Sequence, residues 1–199
     1  QLVNLPDLIP SIVYHDVNAD ASVFRSSGVD LPGITGERLY ETWGFNDKLR
    51  AEEYFMPVLY PMAARIMTAQ QAALTDGSTL IMYQTFRPHD TQKAVAKALT
   101  RLHRKNRTVR AGIDGGGWGI SSFIAVNLSN HQLGIAIDVS LGEVTGTETR
   151  QGRDHVYLET SAEEYPMQTP MHELSRASAS FARPVRTRTG TAWKKAPLN

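Results

Sequence analysis

Apolar residues at Phe55, Leu59, Met62, Ile66, Ala69 and Ala73 recur at steps of four and three, the spacing that lines one face of an α-helix. Asn46 or Asp47 is placed to cap this helix and Asp76-Gly77-Ser78 to end it. Pro57 and Pro61 lack an amide hydrogen and should break or kink its early part. The methionines on this face serve as adaptable core filling. Thr79 to Phe86 follows as an apolar, β-favouring run, the pattern of a buried strand. A second helix is predicted from about Asp90 to Lys105, with Ala94, Val95, Ala98, Leu99 and Leu102 on its apolar face and lysines and arginines opposite. His103 falls among those charges as a surface residue.

The flanking segments are less regular. The first 45 residues are rich in Pro, Gly, Asp and Asn, with short patches such as Ser11-Ile12-Val13-Tyr14, and predict loops and short strands wrapped on a core. Residues 106–122 predict a loop beside a cleft, with Gly112, Gly115, Gly116, Gly117 and Gly119 close together. A phosphate cradle would need a following lysine-serine or lysine-threonine pair at a strand-to-helix junction, and neither is present. Phe123 to Leu128 and Gly134 to Leu141 predict two strands joined through a turn holding His131. A polar stretch follows, then a short helix over Glu173 to Ala182. No repeat appears, and helices mix with strands without a βαβ rhythm. The expected class is α+β, a single domain with an antiparallel sheet flanked by helices.

Composition narrows the function classes. The 199 residues fit one domain, and 41% hydrophobic with 21% charged content is ordinary for a globular protein. No apolar run approaches the roughly 18 residues of a membrane span, so none is expected. Without cysteine there is no disulfide and no thiolate metal site, and any metal must be held by His, Asp and Glu. The chain opens at Gln1 with no basic-then-apolar leader, which leaves a removed leader and a cut chain as equal readings. From Arg176 onward there are six basic residues and no acidic one, whereas the rest holds 15 basic against 20 acidic. Thr, Gly and Ala fill the gaps between those late cations, the spacing of a solvated segment and not of a nucleic-acid footprint. The expected division is therefore a domain over residues 1–182 and a basic tail over 183–199, irregular or the incomplete end of the fold.

The residues richest in chemistry are His131 and Asp138, seven apart with Gly134 between them. A tight turn would hold the imidazole at its tip, and the strand after it would bring the carboxylate beneath. A neutral imidazole and a carboxylate suit zinc, and a catalytic site keeps one position open for water. Asp138 stands among Ile135, Ala136, Ile137 and Val139, where an unpaired carboxylate would be costly, so a cation is expected beside it. The spacing alone favours the plainer reading, a turn histidine and a satisfied strand aspartate.

The full run Ser129-Asn130-His131-Gln132-Leu133-Gly134-Ile135-Ala136-Ile137-Asp138 resembles Ser-x-His-x-x-Gly-x-Ala-x-Asp. That is the zinc signature of D-alanyl-D-alanine dipeptidases of the vancomycin-resistance type and of related D,D-carboxypeptidases. Leu80 to Pro88, ending in Phe86-Arg87-Pro88, resembles the family strand that ends in aromatic-Arg-Pro or aromatic-Arg-Ser. Ile34-Thr35-Gly36-Glu37-Arg38-Leu39-Tyr40 resembles its Phe-Thr-Gly-x-x-Leu-Tyr segment. The similarity runs in patches from about residue 34 to 175.

The resemblance implies zinc held by His131 and Asp138 in a cleft on the sheet, Arg87 steadying an oxyanion, and Gln92 and Ser129 in contact with substrate. The implied substrate is a peptide ending in D-Ala-D-Ala, and the implied place is the cell envelope, periplasm or exterior, with the cytoplasm as the alternative. The family completes its site with a late Glu-x-x-His that supplies the general base and third ligand, and this chain has none. A second chain or a further C-terminal segment supplying a His and a Glu is one explanation. His172 with Glu173 as substitutes is another, and a catalytically inactive peptidoglycan- or peptide-binding relative is a third. A regulatory protein working through its basic tail is the rival outside this family. His15, His89 and His155 stand in polar surroundings and are expected to be surface histidines.

Overall fold

The structure, a computed structural model, describes residues 1–15, 24–31, 42–46, 51–125, 127–151 and 156–180, with backbone alone at 42–46 and 51–54. The resemblance segment at 34–40, Asp47, His155 and the tail 183–199 lie outside the described residues. Along the chain run β1 (Leu2–Asn4), α1 (Leu5–Leu8), β2 (Val13–Tyr14), β3 (Arg25–Ser26), β4 (Val29–Asp30), β5 (Thr42–Asn46), β6 (Ala51–Phe55) and β7 (Pro57–Leu59). There follow α2 (Tyr60–Thr75), β8 (Ser78–Gln84), α3 (His89–Lys105), α4 (Arg107–Ile113), α5 (Ile120–Phe123), β9 (Asp138–Gln151), β10 (Val156–Glu164) and a 3₁₀ turn at Arg176–Ser178. The class is α+β, as the mixed pattern of periods predicts. No helix among the described residues is long and apolar enough to cross a membrane.

The chain forms two compact units, the first made of Gln1–Ala21, Thr35–Thr91 and Leu128–Met167, the second of Ser22–Ile34, Gln92–Asn127 and Gln168–Asn199. The first is built on a sheet of order β10-β9-β8-β2, antiparallel except that β2 joins β8 in parallel. Helix α2 packs on this sheet. Leu5, Ile9, Ile12, Met56, Val58, Ala63, Ile66 and Met82 form the buried core, with Leu80, Ile137 and Val139 packed against it. A register shift between Met82 and Gln84 sets Gln84 opposite Asp138, so Tyr83 is the extra residue of a β-bulge. Such a bulge bends its strand and re-aims side chains, here at the end that carries Asp138.

In the second unit, buried Val95, Leu99, Val109, Ile113 and Ile124 come from α3, α4 and the end of α5. Asn106 caps α4 by accepting from the amides of Thr108 and Val109. The carboxylate of Glu173 accepts from the amide of Ser27 at 2.5 Å, inside the β3–β4 turn.

Several expected boundaries change. Helix α2 begins at Tyr60, because β5 pairs with β6 and Pro57 opens β7. Pro61 sits in the first turn of α2, where a missing amide hydrogen costs nothing. On α2 the buried polar residue is Gln70, while Ala69 faces outward. Gln70 donates to the Ser11 carbonyl and to Thr79 Oγ1, each at 2.8 Å, and accepts from the Leu80 amide at 2.9 Å. Those bonds offset the cost of burying an amide and tie the helix to β8.

The glycine-bearing segment 106–122 is largely helical through α4 and the start of α5. The described residues of 123–128 form no strand, because Ile120–Phe123 is a helical turn. Residues 134–137 are irregular, and β9 starts at Asp138 and runs on to Gln151 through the polar stretch. Cross-strand pairs such as Thr147 with Thr160, and an Arg150–Glu159 ion pair at 2.6 Å, hold that hairpin outside the core. Of the helix expected over 173–182, the described residues through 180 hold the 3₁₀ turn, capped by Ser175.

Candidate functional site

The site is built on the turn at 130–134 and the first residue of β9. Ser129 Oγ accepts from the His131 amide at 3.1 Å, and the Ser129 amide donates to Gln132 Oε1 at 2.8 Å. Backbone bonds from Gly134 to His131 and from Ile135 to Asn130, each at 3.1 Å, close the turn. Gly134 has φ +66°, a conformation glycine enters without penalty, and a Cβ there would lie 3.0 Å from Leu59 Cγ. Ser129, expected at the substrate, is buried and occupied with holding His131 in place.

The imidazole of His131 is 13% exposed, and its Nδ1 lies 2.7 Å from the Thr85 carbonyl oxygen. A carbonyl only accepts, so Nδ1 carries the proton and Nε2 is left with a lone pair in the neutral ring. Nε2 faces Asp138 Oδ1 at 3.5 Å. Two acceptors turned toward each other repel unless a proton or a cation lies between them. Tetrahedral zinc, with bonds of about 2.0–2.2 Å to nitrogen and oxygen, separates two such ligand atoms by about 3.4 Å. The donor types, the spacing and the carbonyl behind the imidazole all fit that group.

The other carboxylate oxygen, Oδ2, accepts from Arg87 Nη2 at 2.8 Å. Arg87 is 5% exposed, and its Nε donates to Gln84 Oε1 at 2.7 Å while Nη2 also reaches that oxygen. The bulge thus serves the site directly, since Gln84 is the residue it places opposite Asp138. His131, Asp138 and Arg87, singled out in the sequence, come together; Gln84 and the carbonyl of Thr85 join them unforeseen. No period or motif marks a backbone carbonyl, and a lone glutamine carries no signature.

A second carboxylate shares this face. Asp138 and Ser140 are two apart on β9 and so project to one side. Ser140 Oγ donates to Glu164, whose two oxygens also accept from Tyr83 Oη at 2.9 and 2.8 Å. The ring of His15 lies 4.6 Å from that of Tyr83.

Other expected site residues are engaged elsewhere. Gln92 falls in the second unit, where it donates to the Ala125 carbonyl at 2.6 Å. His172, also in the second unit, stacks on Phe24 at 4.5 Å, and Glu173 is bound to the Ser27 turn. Among the surface histidines, His89 is exposed and contacts Gln132 at 2.8 Å, while His103 is half-buried against Asp114 at 2.8 Å. Among the described residues no group of three or more His, Asp and Glu side chains comes together as a metal cage. Compared with protein-family models and with curated proteins, the chain matches none.

Proposed function

We propose that this protein acts in zinc-dependent hydrolysis of D-Ala-D-Ala-type peptide bonds in cell-wall peptides or their precursors. The observation that carries the reading is the pair of lone-pair donors, His131 Nε2 and Asp138 Oδ1, turned toward each other at 3.5 Å. Zinc bound there would make water a nucleophile at neutral pH and polarise the scissile carbonyl. His131 would be held in the ligating tautomer by Thr85. Asp138 would be held by Arg87, whose fixed charge would also steady an oxyanion developing beside it. The third ligand and the general base belong, in this reading, to another segment or to a second chain.

Metal content and product release test the proposal together. Native protein should carry one zinc per chain and release D-alanine from D-Ala-D-Ala, and His131→Ala should lose both. A folded protein that takes up no zinc would refute the hydrolase. The presence of only two ligands among the described residues favours, as second reading, a peptide-binding relative without catalysis. That reading predicts retention of a D-Ala-D-Ala peptide without cleavage, with zinc making no difference.

A further inference from the structure

Charge is divided between the two units with unusual completeness. The second unit holds 14 of the 21 basic residues and three of the 20 acidic ones, a formal +11; the first holds seven and 17, a formal −10. Part of the positive charge forms a row. Lys93, Lys97, Arg101 and Lys105 follow one another at steps of four along α3, all exposed, with Arg104 beside the last two. Four residues of helix rise about 6 Å, so the row is a ladder of cations about 18 Å long.

Such a ladder works against the helix. Like charges at this spacing cost about 0.2–0.5 kcal/mol per pair. Asp90 is the one acidic residue three or four positions from any member of the row. The helix dipole accounts for Arg104 and Lys105 in the last turn, but not for Lys93, Lys97 and Arg101 ahead of it. No ion pair joins the row to an acidic side chain among the described residues. A groove of about 460 Å³ lies beside the later part of the row, lined by Ala96, Lys97, Thr100, Arg101, Arg104 and Lys105.

We propose that this face of α3 binds a linear phosphodiester polymer of the cell wall, a chain of polyol phosphates without bases. A flexible polyanion can place its charges on the cations one by one and release its counterions, which is the main source of affinity in such contacts. The groove's lining contains no aromatic ring. Trp118 and Phe123 of the same unit stack on each other at 5.4 Å, so these two rings form no open platform for bases. The choice of a wall polymer rests on the hydrolase reading; the charge row does not depend on it.

The test is binding of purified poly(glycerol phosphate) teichoic acid to the whole protein, with EDTA present, as salt is raised from 50 to 200 mM. Four neutralised phosphates give a log–log slope of about −2.8, an affinity loss of about 50-fold over that range. Lys97→Ala/Arg101→Ala/Lys105→Ala should bind far more weakly and lose only about threefold. Alanine is the best helix former, and circular dichroism checks that the variant remains folded. Arg65→Ala, an exposed cation on α2 in the other unit, should leave binding unchanged. A triple variant that binds like the native protein would overturn the proposal, as would single-stranded DNA of equal charge binding tenfold more tightly. Polymer binding by a protein that, assayed separately with zinc and without EDTA, releases no D-alanine from D-Ala-D-Ala would sink the hydrolase and leave the charged face intact.

Discussion

Gly134→Ala separates backbone geometry from side-chain packing at the centre of the candidate site. Gly134 closes the turn that carries His131 and holds φ +66°. An L-residue there costs about 1–2 kcal/mol. The added methyl would also meet Leu59, at 3.0 Å from Cγ and 3.6 Å from Cδ1, so that side chain must give by several tenths of an ångström. Against this, alanine stiffens the unfolded chain, a gain of about 0.4–1 kcal/mol. The net expectation is a loss of about 1–2 kcal/mol, read as a lower midpoint in urea unfolding. Gly146→Ala is the internal control, since a Cβ there meets nothing within 4 Å and its φ is not positive. It should stay within about 0.5 kcal/mol of the native protein. Zinc affinity of Gly134→Ala should also fall about tenfold, as when a support behind a ligand is removed. If Gly134→Ala unfolded with Gly146→Ala at the native midpoint, the turn would not need its left-handed residue, and this account of how His131 is held would be wrong.

Three further outcomes are expected. Gln70→Leu removes bonds to Ser11, Thr79 and the Leu80 amide, and should cost about 2 kcal/mol in the same assay through the polar groups left unpaired. Gly142→Ala puts a methyl 2.7 Å from the Glu163 carbonyl oxygen and 2.8 Å from Ile81 Cδ1. Hydrogen exchange should therefore speed up along β9 and β10 before it does in α2; unchanged protection would refute that packing. Arg87→Ala should lower kcat for D-alanine release by about 100-fold with a smaller change in KM, and Arg87→Lys should recover little, because a point charge cannot bridge Gln84 and Asp138 as the planar fork does. An unchanged kcat would remove Arg87 from the chemistry.

Local pattern carried the elements whose stability is local. The heptad-like spacing of Val95, Ala98, Leu99 and Leu102 places α3 within one residue of its observed start at His89 and at its observed end, Lys105. The apolar run from Thr79 marks β8, observed at Ser78–Gln84. Ser129 to Asp138 likewise announces the turn that carries His131, whereas the strand expected from Gly134 begins only at Asp138.

Pairing over long separations was decided only in the folded chain. The β9–β10 hairpin lies largely in solvent, so its strands carry no buried stripe, and their alternation says nothing until each finds the other. Gln70 is polar at an apolar phase of α2, and only the carbonyl of Ser11 and the side chain of Thr79 make that position tolerable. The tautomer of His131 depends on the carbonyl of Thr85, 46 residues away, and the setting of Asp138 on a bulge at Tyr83 that brings Gln84 and Arg87 to it. The sequence by itself therefore singled out three side chains that come together, His131, Asp138 and Arg87. The tertiary structure decided their hydrogen-bond partners, orientation and charge balance, since those follow from neighbours that are close in space and distant along the chain.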